Sequence, residues 1–239
     1  MADVASMWYG SEIDQLGRLT IASFLQHKHS FTLYTYDLNI VVPNGVIVKD
    51  ANEILNSSQI YGNNNVWQPF SDLFRYKMLI ETDYIWVDMD VVCITDDWHF
   101  PHEYVFGLED IRYNNAILSM PKNSKALKYM YETALNTKPS ELNWNIPSGI
   151  PIDIGPTLLT KTINEFELNK YGLPEKAFYP INHRETFKFL YPGCLKEVLD
   201  KSEGNYAVHL YSSTLNKKWR KNIPEYSFIW LMLQKYKCL

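Results

Sequence analysis

The stretch "YIWVDMDVVCI", residues 84–94, sets two carboxylates, Asp88 and Asp90, one residue apart in an otherwise apolar run. Ile85, Trp86, Val87, Val91, Val92 and Ile94 read as a buried β-strand, because a continuous apolar run is the pattern of a strand covered on both faces. Side chains two apart on a strand point to one side. Asp88 and Asp90 therefore face together, or flank a bend where the strand ends. Two negative charges that close repel unless a cation or a proton relieves them. A hard divalent ion, Mg2+ or Mn2+, suits oxygen ligands and keeps positions open for phosphate oxygens. The plain alternative is a strand that ends at Asp88 with both carboxylates in water, since D-x-D alone is a common pattern.

Outward from this run, strand and helix patterns alternate. "SMWYG" (6–10), "FTLYTY" (31–36) and "GVIVK" (45–49) read as strands, with a helix over "DQLGRLTIASFLQ" (14–26). "SDLFRYKMLIE" (71–81) is helical and puts Asp72 and Arg75 at i, i+3 on one face, as a second carboxylate and a guanidinium aimed at the same pocket or as an exposed ion pair. Later come strands in "YVFGLE", "NAILSMP" and "YAVHLY". Helices follow in "SKALKYMYETAL" with Ser124 as cap, in "GPTLLTKTINEF" with Pro156 in its first turn, and in "PEYSFIWLMLQKY" starting at Pro224. Loops are expected at 61–69 and 136–151. This alternation predicts an α/β fold in one domain, a mostly parallel sheet covered by helices. Ligands then bind at the carboxyl ends of the strands, where Asp88 and Asp90 fall.

Composition narrows the partners. A net charge of −4 gives no basic field, which argues against nucleic acid. The aromatic share is high at 15%, as in surfaces that stack on rings or sugars and in plain large cores. Cys93, Cys194 and Cys238 are odd in number with no CxxC, against a disulfide scaffold or zinc site and in favour of a reducing compartment. The opening "MADVASMWYG" has no signal-peptide pattern, so a cytoplasmic location is expected. No run is long enough to span a membrane. "FIWLML" (228–233) reads as a core-packed helix face and leaves peripheral membrane contact open.

Taken together, "SDLFRYKMLIETDYIWVDMDVV" resembles the DXD-type, sugar-nucleotide-dependent glycosyltransferases of the sugar-binding region group. That group is similar to family 32 of the sequence classification, to the α-1,4-glycosyltransferases and to the glucosyltransferase domains of large clostridial toxins. "MWYG", "FTLYTYD", "NNAILSMPKNSKAL" and "IGPTLLT" resemble the family's first strand, second strand, N-A-I segment and T-G-P helix start, in the family's order. The resemblance implies a GT-A fold, Rossmann-like, with a nucleotide-sugar-binding half (1–110) and an acceptor-side half (111–239). It implies metal-dependent transfer of a sugar from a nucleotide-diphosphate donor, favoured as UDP, to a hydroxyl of a glycan or glycoconjugate, with retention of configuration.

The roles it implies are specific. Trp8 stacks on the base; Asp72 and Arg75 hold donor-sugar hydroxyls; Asp88 meets ribose or sugar and the metal; Asp90 binds Mn2+ or Mg2+; Asn115 is a further donor-sugar contact. His209 in "AVHLYSS" is the late metal ligand, or else a satisfied core histidine. Lys217, Lys218, Trp219 and Arg220 close over the diphosphate, or form a solvated basic turn. Mobile loops at 61–69 and 212–222 exclude water. The family's G-G pair is replaced by Thr82 and Asp83, so that turn uses ordinary dihedrals or a left-handed Asp83. Its T-G-P threonine is Ile154, preceded by Asp153, which faces the acceptor or transferred carbon, or caps the helix at Pro156. Two rival readings stand beside this one. "IWVDMDVV" also resembles the first motif of haloacid-dehalogenase-like phosphatases, and the same fold can serve a non-catalytic nucleotide- or carbohydrate-binding protein.

Overall fold

The computed structural model describes residues 1–60, 68–137, 153–215, 218 and 222–238. Among the described residues, eight strands run β1 (Asp3–Trp8), β2 (Ser30–Thr35), β3 (Val46–Asp50), β4 (Ile85–Val87), β5 (Val91–Cys93), β6 (Val105–Glu109), β7 (Arg112–Ser119) and β8 (Ala207–His209). The helices are α1 (Gln15–Gln26), α2 (Gln68–Glu81), α3 (Lys125–Asn136), α4 (Pro156–Glu165), α5 (Leu195–Ser202) and α6 (Phe228–Lys235). Six strands form one sheet in the order β3-β2-β1-β4-β7-β6. The first four are parallel, while β7 and β6 join antiparallel.

Side-chain alternation builds two apolar layers on this sheet. Val4, Phe31, Leu33, Val87 and Ile117 face one layer, with Leu19 and Phe24 of α1, Val198 of α5 and Ile229 and Leu233 of α6. Ala5, Tyr34, Trp86 and Leu118 face the other, with Leu73 and Phe74 of α2, Leu127 of α3 and Leu159 of α4. Neighbouring residues on one strand fall into opposite layers, as a two-residue period requires. Each fully buried Val, Leu or Phe contributes about 1.5–3 kcal/mol.

Helix starts follow local chemistry. Asp14 Oδ1 accepts the Gly17 amide at 2.8 Å to open α1, and the Ser124 hydroxyl caps α3. The expected helix start at Pro224 is corrected. Helix α6 begins four residues later, where the Ser227 hydroxyl accepts the Trp230 amide at 3.3 Å. Tyr226, at φ 63°, has a left-handed backbone that no right-handed helix can include. The 82–83 turn uses ordinary dihedrals, since Asp83 is not among the positive-φ residues, and the Thr82 amide closes on the Met78 carbonyl at 2.9 Å.

The deciding stretch is not one strand. β4 pairs with β1 and β7, whereas β5 leaves the main sheet and pairs with β8 as a separate two-stranded ribbon. A turn closed by the Val91 amide on the Asp88 carbonyl, at 3.2 Å, divides them. The apolar run is continuous because both pieces are buried, each in a different sheet. Among the described residues no helix is long and apolar enough to cross a membrane, and Phe228, Ile229, Met232 and Leu233 turn α6 into the core. The three cysteines are free thiols.

Candidate active site

The parallel strands end on a cavity of about 800 Å³, within the range of small-molecule sites. Trp8, Asp72, Arg75, Asp88, Asp90, Asn115, Asp153 and His209 all line it. Lys218 is exposed and does not line it. Lys217, Trp219, Arg220, the loop segment 61–67 and most of 136–151 lie outside the described residues. Gln68 and Pro69, expected in that first loop, open α2.

One wall is a buried ion cluster. Arg75, 3% exposed, donates from Nη2 to Asp88 Oδ1 at 2.7 Å and from Nη1 to the Asn115 carbonyl at 2.6 Å. Nη1 also lies 3.3 Å from Asp72 Oδ1, which accepts the Asn115 side-chain amide at 2.8 Å. The guanidinium stacks over Trp86 at 4.8 Å, and the Trp86 indole donates to Asp88 Oδ1 at 2.7 Å. Both bonds to Asp88 land on Oδ1, so Oδ2 is the oxygen available to a ligand. Burial pushes the Asp72 carboxyl up to about 7, against the pull of Arg75. Burial raises Asp88 as well, again opposed by Arg75.

The other wall stands on the β5–β8 ribbon, where Val91 pairs with His209. Asp90 Oδ1 faces His209 Nε2 at 3.1 Å, and Asp90 Oδ2 accepts the Ser212 amide at 2.7 Å. Burial would raise Asp90, but the charge and hydrogen bond of His209 and the Ser212 bonds override it and hold the carboxyl well below the usual range. Burial would lower His209, but the Asp90 charge and hydrogen bond raise it.

Asp88, Asp90 and His209 each offer one ligand atom, all within 4.8 Å of one another. Neighbouring ligands of an octahedral ion with bonds of ~2.1 Å are ~3.0 Å apart. The Asp90–His209 separation already matches that spacing. Two carboxylate oxygens with one imidazole nitrogen suit Mn2+, and Mg2+ less well. The donor set fits a divalent cation.

Asp153 closes the start of α4 and also lines the cavity. Its Oδ1 accepts the Gly155 amide at 2.8 Å, and its Oδ2 accepts the Thr157 hydroxyl at 2.7 Å. A Cβ on Gly155 would lie 2.9 Å from Asp72 Oδ2, so this glycine is required by the close approach of a carboxylate. The Trp8 indole N–H is tied to the Glu12 carbonyl at 2.9 Å, which fixes the ring at the cavity wall.

Three contributors were not anticipated. Trp86 reads as core, and its indole N–H bond to a carboxylate two residues on has no sequence signal. The Ser212 amide is a backbone group, invisible in residue types. Asn114 lines the cavity beside the anticipated Asn115, and only the N-N doublet hinted at it.

The mostly parallel α/β sheet flanked by helices on both faces, with acidic residues at its carboxyl edge, matches a GT-A-like fold. Among solved structures, that of the PaToxG glycosyltransferase matches with a TM-score of 0.53 and 14% identity, over 97% of this chain and 86% of that one. No family description and no curated protein matches the sequence. At that identity the likeness establishes the fold.

Proposed function

We propose that the protein is a metal-dependent glycosyltransferase, moving a sugar from a nucleotide-diphosphate donor, UDP-linked, to a hydroxyl of a glycan or glycoconjugate with retention. The observation that carries this reading is the convergence of Asp88, Asp90 and His209 within 4.8 Å in a cavity also lined by Trp8, Asp72, Arg75 and Asn115. The GT-A-like fold supports it.

In this reading Asp90, His209 and Asp88 Oδ2 hold Mn2+ or Mg2+. The cation, when bound, neutralises charge on the departing diphosphate. Arg75 does not reach for substrate freely. It holds Asp88 and Asp72 in place, so the donor meets oxygens that need no reorganisation. Asp72 and the Asn115 amide take donor-sugar hydroxyls. Trp8 presents a fixed ring to the base. Residues 1–110 supply the nucleotide end, while Asp153, at the start of α4, faces the acceptor end. The phosphatase reading needs a second acidic pair near the first. Asp96 and Asp97, the acidic pair nearest in sequence, are exposed and do not line the cavity, so they do not supply it.

The test is a panel of nucleotide sugars with Mn2+, read by thermal shift and donor hydrolysis. A UDP-sugar is expected to raise Tm only with the metal and to release UDP. Turnover of phosphomonoesters with no use of any sugar nucleotide would sink the proposal. Metal-dependent UDP binding with no hydrolysis or transfer would identify a binding protein instead.

A further inference from the structure

Next to His209 lies a buried polar knot that the roles above leave unexplained. Glu109 ends β6 and is 1% exposed. Its Oε2 accepts the Asn114 side-chain amide at 2.9 Å and lies 3.5 Å from Arg112 Nε. Its Oε1 faces His183 Nδ1 at 3.3 Å without hydrogen-bond geometry. Tyr211 packs its ring 4.1 Å from that of His209 and 6.3 Å from that of His183, centroid to centroid. Glu109 Oε1, His183 Nδ1, His209 Nδ1 and Tyr211 Oη are all buried without a hydrogen bond of good geometry, although Glu109 Oε1 pairs with His183 at 3.3 Å and Tyr211 Oη lies close to the Glu109 carboxylate. Buried groups so poorly paired are rare, and four in one knot require a reason.

Backbone strain marks the same place. Tyr211 has φ 50°, a left-handed conformation that costs a bulky residue on the order of 1–2 kcal/mol. That turn carries the Ser212 amide onto Asp90 and keeps the Tyr211 ring on His209. One strained residue thus fixes neighbours of two of the three candidate ligands.

An imidazole binds a cation through a nitrogen lone pair. His209 faces Asp90 with Nε2, so ligation there requires the ring hydrogen on Nδ1. The tautomer of a ligating histidine is set by what its second nitrogen meets, most often a carboxylate, a carbonyl or a water. Arg112 and Asn114 account for Glu109 Oε2, while Oε1 is turned toward His183 and Tyr211, on the side of His209. Resting on the metal-dependent reading above, we propose that Glu109 is a positioning residue for His209. Acting through the buried polar atoms of Tyr211 and His183, it keeps the imidazole hydrogen on Nδ1 and the Nε2 lone pair toward the cation.

The experiment titrates Mn2+ alone into the full chain and reads free Mn2+ by electron paramagnetic resonance. The His209 tautomer is read by 15N NMR with diamagnetic Mg2+ bound, because in the metal-free protein Nε2 carries the hydrogen that it donates to Asp90. Glu109→Gln is expected to weaken Mn2+ binding about 10- to 100-fold and to move His209 away from the Nδ1–H form. A folded Glu109→Gln protein with wild-type Mn2+ affinity and an unchanged tautomer overturns the inference. If that variant does not fold, Tyr211→Phe decides, since it keeps the ring packing. A several-fold loss of Mn2+ affinity supports the role, and no loss overturns it. Asp90→Asn separates the two levels of argument. If it loses the metal while Glu109→Gln does not, the metal site stands and only the positioning role fails. If Asp90→Asn binds Mn2+ like the wild type, the site reading fails first and takes this inference with it.

Discussion

On one wall of the cavity Arg75 holds Asp72 and Asp88 through Nη1 and Nη2, with the Asn115 amide and the Trp86 indole on the remaining sides. On the opposite wall Asp90 is held by one imidazole and by the backbone amide and side chain of Ser212. Both walls carry partly buried carboxylates, yet their counter-charges differ in kind. The guanidinium is a permanent cation that cannot be exchanged. A shared proton between Asp90 and His209 can be exchanged for a metal ion at the same spacing. The first wall is therefore a fixed frame and the second a replaceable one. This difference teaches where substitutions damage the fold and where they damage only binding.

The frame gives the largest expected effect. Arg75→Leu leaves two partly buried carboxylates without their counter-charge, which costs up to about 3–5 kcal/mol. Urea unfolding measures it, and a loss below 1 kcal/mol would remove the distinction between the walls. On the replaceable side, Asp90→Asn keeps volume and an acceptor for the Ser212 amide. Its metal-free stability should move far less than that of Arg75→Leu. Its stabilisation by Mn2+ should disappear, whereas in the wild type a hundredfold excess over Kd contributes about 2.7 kcal/mol. A retained Mn2+ shift in Asp90→Asn would place the ion elsewhere.

The same contrast explains what the sequence disclosed. Elements with their own periodicity were readable. The pattern of α2, the Ser124 cap and Pro156 in the first turn of α4 depend on residues a few positions apart. The residues of the frame were visible because Asp72, Arg75, Asp88 and Asn115 carry distinctive side chains in short segments. The split at Asp88 was not legible, because a residue type cannot say which of two sheets its strand joins. β5 is recruited by β8, more than a hundred positions away in the chain. The start of α6 was misread because proline is a common first-turn residue, while the left-handed Tyr226 that forbids the helix there leaves no mark in composition. The Glu109 knot stayed hidden for the same reason: it assembles from β6, β7 and the segments around His183 and Tyr211 only when the chain folds.

Smaller effects sharpen the frame. Gly155→Ala brings a methyl to 2.9 Å from Asp72 Oδ2, and overpacking of this kind costs about 1–3 kcal/mol. It should also weaken donor binding, because the displaced carboxylate is the one assigned to sugar hydroxyls. Equal donor affinity in Gly155→Ala, measured by calorimetry, would take Asp72 off the donor.

Asp72 gives a gentler test through pH. Its folded value of about 7 lies above the ordinary carboxylate value near 4. Between those limits the native state holds more protons than the unfolded chain, so this group's contribution to stability falls as pH rises. Removing the titration with Asp72→Asn should flatten the decline between about pH 4 and pH 7. The comparison is made between urea-unfolding slopes of wild type and variant, since Asp88, also raised, contributes a decline common to both. Identical slopes would mean that Arg75 holds Asp72 ionised, and the frame would then be a neutralised pair instead of a cation outnumbered by partly protonated acids.

Trp8 carries the smallest expected effect, and it tests the edge of the comparison. Its ring is fixed by the Glu12 carbonyl and belongs to neither charged wall. Stacking of a base on an aromatic ring is worth about 1–3 kcal/mol, and it acts alike on the bound donor and on the transition state. Trp8→Ala should therefore raise the donor KM by roughly ten- to a hundredfold with kcat nearly unchanged. Should kcat fall instead while KM holds, the ring would be shaping the charged walls, and the cavity would have to be treated as one coupled unit.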